Sequence, residues 1–190
     1  MSLFPMFVKL EGRRCLVIGA GTVAEAKIES LLATDATVRV IAPKATPRVR
    51  EWARDGRIEW NPREYDADDL AAVFLVIAAT SSPALHDEIY AEARRRGVLC
   101  NAVDEPERCD FYFPAVVRRG ELQIAISTGG LSPALAQRLR KDLEQQFGPE
   151  WEEWVAQLGR TREELQSIPM PPEQRKRLLH QYASLDPKTH

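Results

Sequence analysis

The chain has 190 residues, 44% of them hydrophobic and 28% charged, which suits one good-sized domain or a domain with a smaller appendage and lies outside the disordered range. Its formal net charge of −2 gives no reason to expect nucleic acid or an anionic membrane as partner, and no apolar stretch approaches the length needed to span a bilayer. Three cysteines without CxxC spacing and three histidines (His86, His180 and His190) supply no cluster with the spacing of a protein-held metal site, so no metal residues are expected.

The opening "MSLFPMFVKLEGRR" lacks the basic start and apolar stretch of a signal peptide, so a cytoplasmic location is expected. "RCLVI", ending at Ile18, reads as a strand. After it, Val23, Ala24, Ile28, Leu31 and Leu32 recur with a helical period. "TVRVIA" (37–42) predicts the next strand and "TPRVREWARDG" a helix with Pro47 early and Gly56 at its end. "RIEW" (57–60) is a weaker strand signal. "AVFLVIAAT" (72–80) is a continuous apolar run, as expected of a strand buried on both faces. "SPALHDEIYAEARRRG" (82–97) predicts a helix between Ser82 and Gly97, and "VLCNAV" (98–103) another buried strand. Cys15 and Cys100, inside strand runs, read as core thiols.

Alternation of this kind builds a parallel sheet with crossover helices, an α/β fold. The pattern changes after about residue 112. "FPAVVRRGELQIAIS" (113–127) reads as a hairpin around Arg119 and Gly120. "LSPALAQRLRKDLEQQFG" follows as a helix that Ser132 can cap, with Leu131, Leu135, Leu139, Leu143 and Phe147 at every fourth position. That stripe reads as core or subunit interface, and Trp151 and Trp154 as packing residues. A further helix at "PEWEEWVAQLG", a proline-rich break at 169–172 and a last short helix complete the chain.

Gly19, Gly21 and Ala24 form a GxGxxA version of the dinucleotide fingerprint, placed as it should be between a strand and a helix. The first glycine permits the tight turn, the second lets a pyrophosphate approach the backbone, and the small third residue lets the helix pack on the strand. Glycines that serve only a strand-to-helix turn are the competing reading. The acid expected after the second strand is missing: Pro43 and Lys44 stand there, so spacing alone does not separate NAD from NADP.

Ligands of open parallel sheets gather beyond the carboxyl ends of the strands, here "AAT" (78–80, ending at Thr80) and "NAVDEPE" (101–107). Asp104 would face that crevice or fix a turn ahead of Pro106. Asn101 would touch the cofactor or serve the strand end. "STGGLSP" (127–133) is a second glycine-rich turn before a helix, suited to a phosphate or carboxylate. Arg118, Arg119, Arg138 and Lys141, close to it in sequence, read first as a solvated face.

Together, "FPMFVKLEGRRCLVIGAGTVAEAK", "VIAP", "AAT", "CNAVDEPERCDFYFPAVV" and "AISTGGLSPALAQRLR" closely resemble the siroheme-synthase dehydrogenase/chelatase module, from about residue 3 to 145. The resemblance implies a Rossmann-like NAD-binding domain over residues 1–112, a dimerisation region over 113–147 and a helical C-terminal region over 148–190. It also implies a homodimer in which NAD accepts hydride from precorrin-2 to give sirohydrochlorin, with ferrous iron insertion in many members. Cofactor contacts would fall on Thr22 and Val23 in the glycine turn and on Pro43 and Lys44, and the catalytic aspartate on Asp104. The family's serine, phosphorylated in some relatives, matches Thr128. Gly129, Gly130 and Ser132 complete the expected substrate turn, whose nearby arginines would meet the macrocycle's acidic side chains. Two departures accompany the match: Ala26 stands where an arginine is usual, and no fused methyltransferase domain is expected. Two other readings stay open at this point, a non-enzymatic NAD-sensing dimeric module and a tetrapyrrole chelatase without dehydrogenase activity.

Overall fold

The computed structural model describes residues 3–185 and 187, and the chain divides into two units, Phe4–Tyr112 and one built from Phe113 onward. In the first unit, strands β1 (Arg14–Ile18), β2 (Thr37–Ile41), β3 (Glu59–Asn61), β4 (Leu75–Ala78) and β5 (Leu99–Ala102) form one sheet in the order β3-β2-β1-β4-β5. Every pairing in it is parallel, with Val17 opposite Val40 on one side and Ile77 on the other. Cys15 to Ile18 and Leu75 to Ala78 are buried without a break, as strands covered on both faces must be.

Helices α1 (Thr22–Leu32), α2 (Pro47–Arg54) and α3 (Pro83–Arg96) cover the sheet. α1 buries Ala24, Ile28 and Leu31 at helical spacing, each large side chain worth about 1.5–3 kcal/mol. α2 and α3 start as the sequence dictates. Thr46 Oγ1 accepts from Val49 N, Ser82 Oγ accepts from Leu85 N, and a proline opens each helix. α3 ends on Gly97 at φ 69°, with Arg94, Arg95 and Arg96 in its last turn.

Two expectations need correction. The apolar run 72–80 is a strand only over Leu75–Ala78, because a 3₁₀ turn at Ala67–Leu70 and Ala72 at φ 58° occupy its approach. Ala79 and Thr80 leave the ladder after one last bond, Ala79 N to Ile18 O. The third strand lies two residues later than "RIEW" begins, with Ile58 buried just before it. The 3₁₀ turn is held by Asp69, a buried carboxylate that accepts from Arg63 and Arg39 and closes a capping box with Asp66.

The second unit contains an antiparallel hairpin, β6 (Ala115–Arg119) and β7 (Leu122–Ile126), turning on Gly120 at φ 54°. α4 (Pro133–Gln146), α5 (Glu150–Ser167) and α6 (Pro172–Ala183) follow. α5 runs eight residues past the expected "PEWEEWVAQLG", because "RTREELQS" is made of helix formers and only the prolines from 169 stop it. Phe147 and Trp151 meet edge-to-face at 4.9 Å, and Trp154 is buried.

Candidate functional site

The sheet order reverses between β1 and β4: the chain winds outward to β2 and β3, then returns to the other side of β1. The carboxyl ends at this reversal form the natural ligand crevice of such a sheet. Here the strand ends are tied together. Gly19 N donates to Ile41 O at 2.9 Å, Ala79 N to Ile18 O at 2.8 Å, and Thr46 N to Ala20 O at 3.1 Å, which anchors the loop carrying Pro43 and Lys44 to the glycine turn.

The two fingerprint glycines answer to different demands. Gly19 has φ 108°, and a side chain there would overlap the backbone carbonyl of Ala79, so the fold itself requires glycine. Gly21 has φ −83°, a conformation open to any residue, and an added Cβ would meet nothing within 4 Å. Gly21 is also the N-cap of α1 and gives it no side-chain cap, so no capping side chain claims the first N–H groups, on Thr22, Val23 and Ala24. Thr22 and Val23 are exposed and Ala24 is fully buried against the sheet. An uncapped helix start under a glycine that the fold does not need fits an anionic ligand approaching the backbone closely.

Pro43 and Lys44 are exposed beyond β2. Thr80 is half-buried, and its hydroxyl accepts from Ser82 N at 3.2 Å. Asn101 is buried, and its amide nitrogen donates to Phe111 O at 2.8 Å and reaches Cys109 Sγ at 3.4 Å, so it ties β5 to the loop returning past it. Asp104 stands exposed on that loop at φ 63°. Ala26 is exposed on α1.

Three residues near Asp104 escaped the sequence reading. Lys27 is half-buried on α1, and burial pulls its ammonium below the usual lysine range while the charges of Asp104 and Cys109 pull it back up. A lysine three residues after buried Ala24 and four before buried Leu31 was the signal available. His86 and Glu105 pair at 2.8 Å, and this hydrogen bond is the main reason that the Glu105 carboxyl lies below its ordinary range. No spacing rule joins residues 19 apart on a helix and a loop. The strand thiols are inert, as core cysteines should be: burial pushes Cys15 up to about 11 and Cys100 to about 12.

In the second unit, the turn 127–132 is closed by its own hydroxyls. Thr128 Oγ1 accepts from Ser132 N at 3.1 Å, Ser127 Oγ from Gly129 N at 3.1 Å, and Ser132 Oγ caps α4 through Leu135 N at 3.3 Å. Gly129 and Gly130, at φ 61° and 84°, are exposed. Arg119 is not a solvated or ligand-facing arginine: it donates to Phe147 O at 2.9 Å and Glu144 O at 3.1 Å, the orphan carbonyls at the end of α4. Arg138 pairs with Asp142 at 4.0 Å.

Among the described residues, no group of three His, Cys, Asp or Glu side chains is placed to hold a metal ion, and no helix is long and apolar enough to cross a membrane.

A parallel sheet with a GxGxxA turn at its point of reversal defines a dinucleotide-binding α/β domain of the Rossmann type. Comparison with known proteins agrees. Residues 6–115 match the model of the putative NAD(P)-binding family, and the chain belongs to that family. Residues 119–146 match a second model, the sirohaem biosynthesis protein central family. Siroheme synthase 1 of Serratia proteamaculans is 41% identical over 144 residues, covering 76% of this chain and 30% of that protein. The siroheme synthase of Nitrosococcus oceani is also 41% identical over 144 residues, covering 76% and 31%. This chain thus spans under a third of the length of these relatives. The solved structure of SirC, precorrin-2 dehydrogenase, matches with a TM-score of 0.80 at 26% identity, over 94% of this chain and 88% of that one. The expected kinship with the siroheme-synthase module is borne out.

Proposed function

We propose that this chain oxidises precorrin-2 to sirohydrochlorin with NAD as hydride acceptor, as a step in siroheme formation. The observation that carries the reading is the uncapped start of α1 under Gly21, space and donors that the fold leaves for an anionic group. The likeness to SirC, precorrin-2 dehydrogenase, along nearly the whole chain selects the substrate.

The N–H groups of Thr22, Val23 and Ala24 would hold the pyrophosphate, with Gly19 and Gly21 shaping its bed. Pro43 and Lys44 would take the adenosine side, and Thr80 and Asn101 the crevice floor. Bound there, the nicotinamide supplies the hydride acceptor. The substrate loses two hydrogens, one as hydride and one as a proton, and Asp104 is the base that takes the proton. Lys27 lies within electrostatic reach of Asp104. Thr128, Gly129, Gly130 and Ser132 would form the turn that receives an acidic side chain of the macrocycle.

The name of the curated relatives extends the reading to a second step, insertion of ferrous iron as substrate into sirohydrochlorin, in which Asp104 would take pyrrole protons. We further propose a cytoplasmic homodimer joined through residues 113–147. Leu131, 93% exposed, and Leu135, 38% exposed, favour it, since such surface is costly to leave in water. Sedimentation should give a dimer that Leu131→Asp weakens; a wild-type monomer at micromolar concentration contradicts this part.

Anaerobic incubation with precorrin-2 and NAD tests the activity. NADH and the absorption spectrum of sirohydrochlorin should appear together, and Asp104→Asn should slow both by about 10²–10⁴-fold. NAD binding without oxidation would instead identify a sensing module. Iron insertion without NADH would identify a chelatase alone.

A further inference from the structure

Asp104 occupies the third position of a turn closed by Glu105 N donating to Ala102 O at 3.2 Å, with φ 63°. A residue with a Cβ is disfavoured there, so the turn needs an external hold. The far limb of the loop is held to β5 through Asn101, Cys109 and Phe111. The near limb is held from α3. His86 Nδ1 donates to Glu105 Oε1 at 2.8 Å, and Arg108 joins the other oxygen of Glu105 to Asp87, so two successive residues of α3 grip the residue next to Asp104.

His86 is a poor choice for packing alone. It is 4% exposed, and its Nε2 is buried with no hydrogen-bond partner among the described residues. Leaving such an atom unsatisfied destabilises the fold, a cost that an apolar side chain of similar size would avoid. The contact that offsets the cost is the one with Glu105.

We propose that His86 and Glu105 are positioning residues that aim the Asp104 carboxylate for proton transfer. The inference rests on the reading of Asp104 as the base. Neither residue is assigned a contact with reacting atoms; they act through the backbone of the turn.

The test is steady-state precorrin-2 oxidation by the full chain, with NAD binding measured separately, for His86→Leu, His86→Asn, Glu105→Ala and Glu105→Gln. Each is made alone and on Asp104→Asn. His86→Leu and Glu105→Ala should lower kcat by about tenfold or more, the scale on which small misplacement acts, with KM for precorrin-2 and Kd for NAD held within about twofold. His86→Asn, which keeps an N–H near the place of Nδ1, and Glu105→Gln, which keeps the acceptor, should recover most of kcat. On Asp104→Asn, His86→Leu should lower the residual rate no further. A loss confined to KM, a lack of rescue, or a full multiplicative loss on Asp104→Asn overturns the proposal. Should His86→Leu fail to fold, the Glu105 pair decides by the same criteria. If Asp104→Asn alone turns over at the wild-type rate, the reading of Asp104 has failed and the positioning role falls with it.

Discussion

Exchanging the two fingerprint glycines for alanine, one at a time, separates what the fold needs from what a ligand needs. At position 19 the methyl brings a residue with a Cβ to φ 108° and presses it on the Ala79 carbonyl. The backbone conformation costs about 1–2 kcal/mol. Relieving the overlap means moving a strand end whose N–H bonds Ile18 O, which adds about 1–3 kcal/mol. Gly19→Ala should therefore lose about 2–5 kcal/mol, a large part of the roughly 5–15 kcal/mol that holds a domain together. At position 21 the methyl enters open space at an ordinary φ, and the stability change should stay below about 1 kcal/mol. Affinity should follow the opposite order of cause. The Gly21→Ala methyl takes the space through which a pyrophosphate reaches the α1 donors, and losing two charge-assisted bonds at about 1.5–3 kcal/mol each weakens NAD binding by about 100-fold or more. Thermal melts and calorimetric titration with NAD read both quantities. A Gly21→Ala protein that binds NAD with the wild-type Kd refutes the reasoning, as does a Gly19→Ala protein that melts with the wild type.

Asp104→Gly should stabilise the chain by about 0.5–1 kcal/mol in urea denaturation, since glycine takes φ 63° without strain, while abolishing oxidation. Destabilisation would mean that the aspartate's side chain serves its turn instead. Arg119→Ala should cost about 1–2 kcal/mol by freeing the Glu144 and Phe147 carbonyls, read as a lower urea midpoint. Hydrogen bonds from Arg95 and Arg96 hold the Glu92 carboxyl down to about 2, from an ordinary 4.5. Its contribution to stability is therefore complete above pH 4.5 and fades as pH falls toward 2, so the stability gap between wild type and Glu92→Gln should close over that window. A gap that does not change between pH 5 and pH 2.5 would contradict this.

Local chemistry was legible in the sequence, and long-range partnership was not. The caps Ser82, Thr46 and Ser132, the prolines after them and the alternation of strand and helix are short-range patterns, and each element formed where they stand. The fingerprint was readable too, but the division of labour between Gly19 and Gly21 needed the position of Ala79, sixty residues away in the chain. The run 72–80 was overread because an apolar strand and the apolar approach to a crevice have the same composition. Arg119 looked like a surface charge until the end of α4 was placed beside it. His86 and Glu105 were beyond reach for the same reason: each has its partner on a different element, which no periodicity encodes.

The strand order has a bearing on how the chain is born. β1, the middle of the sheet, finds β2 within about a score of residues but waits for β4 until position 78 has left the ribosome. Throughout that interval one apolar margin of β1 lies bare, an invitation to another nascent chain. Slowing translation after β2 has left the ribosome and before β4 has should therefore raise the aggregated fraction, whereas a pause once β5 has emerged should not.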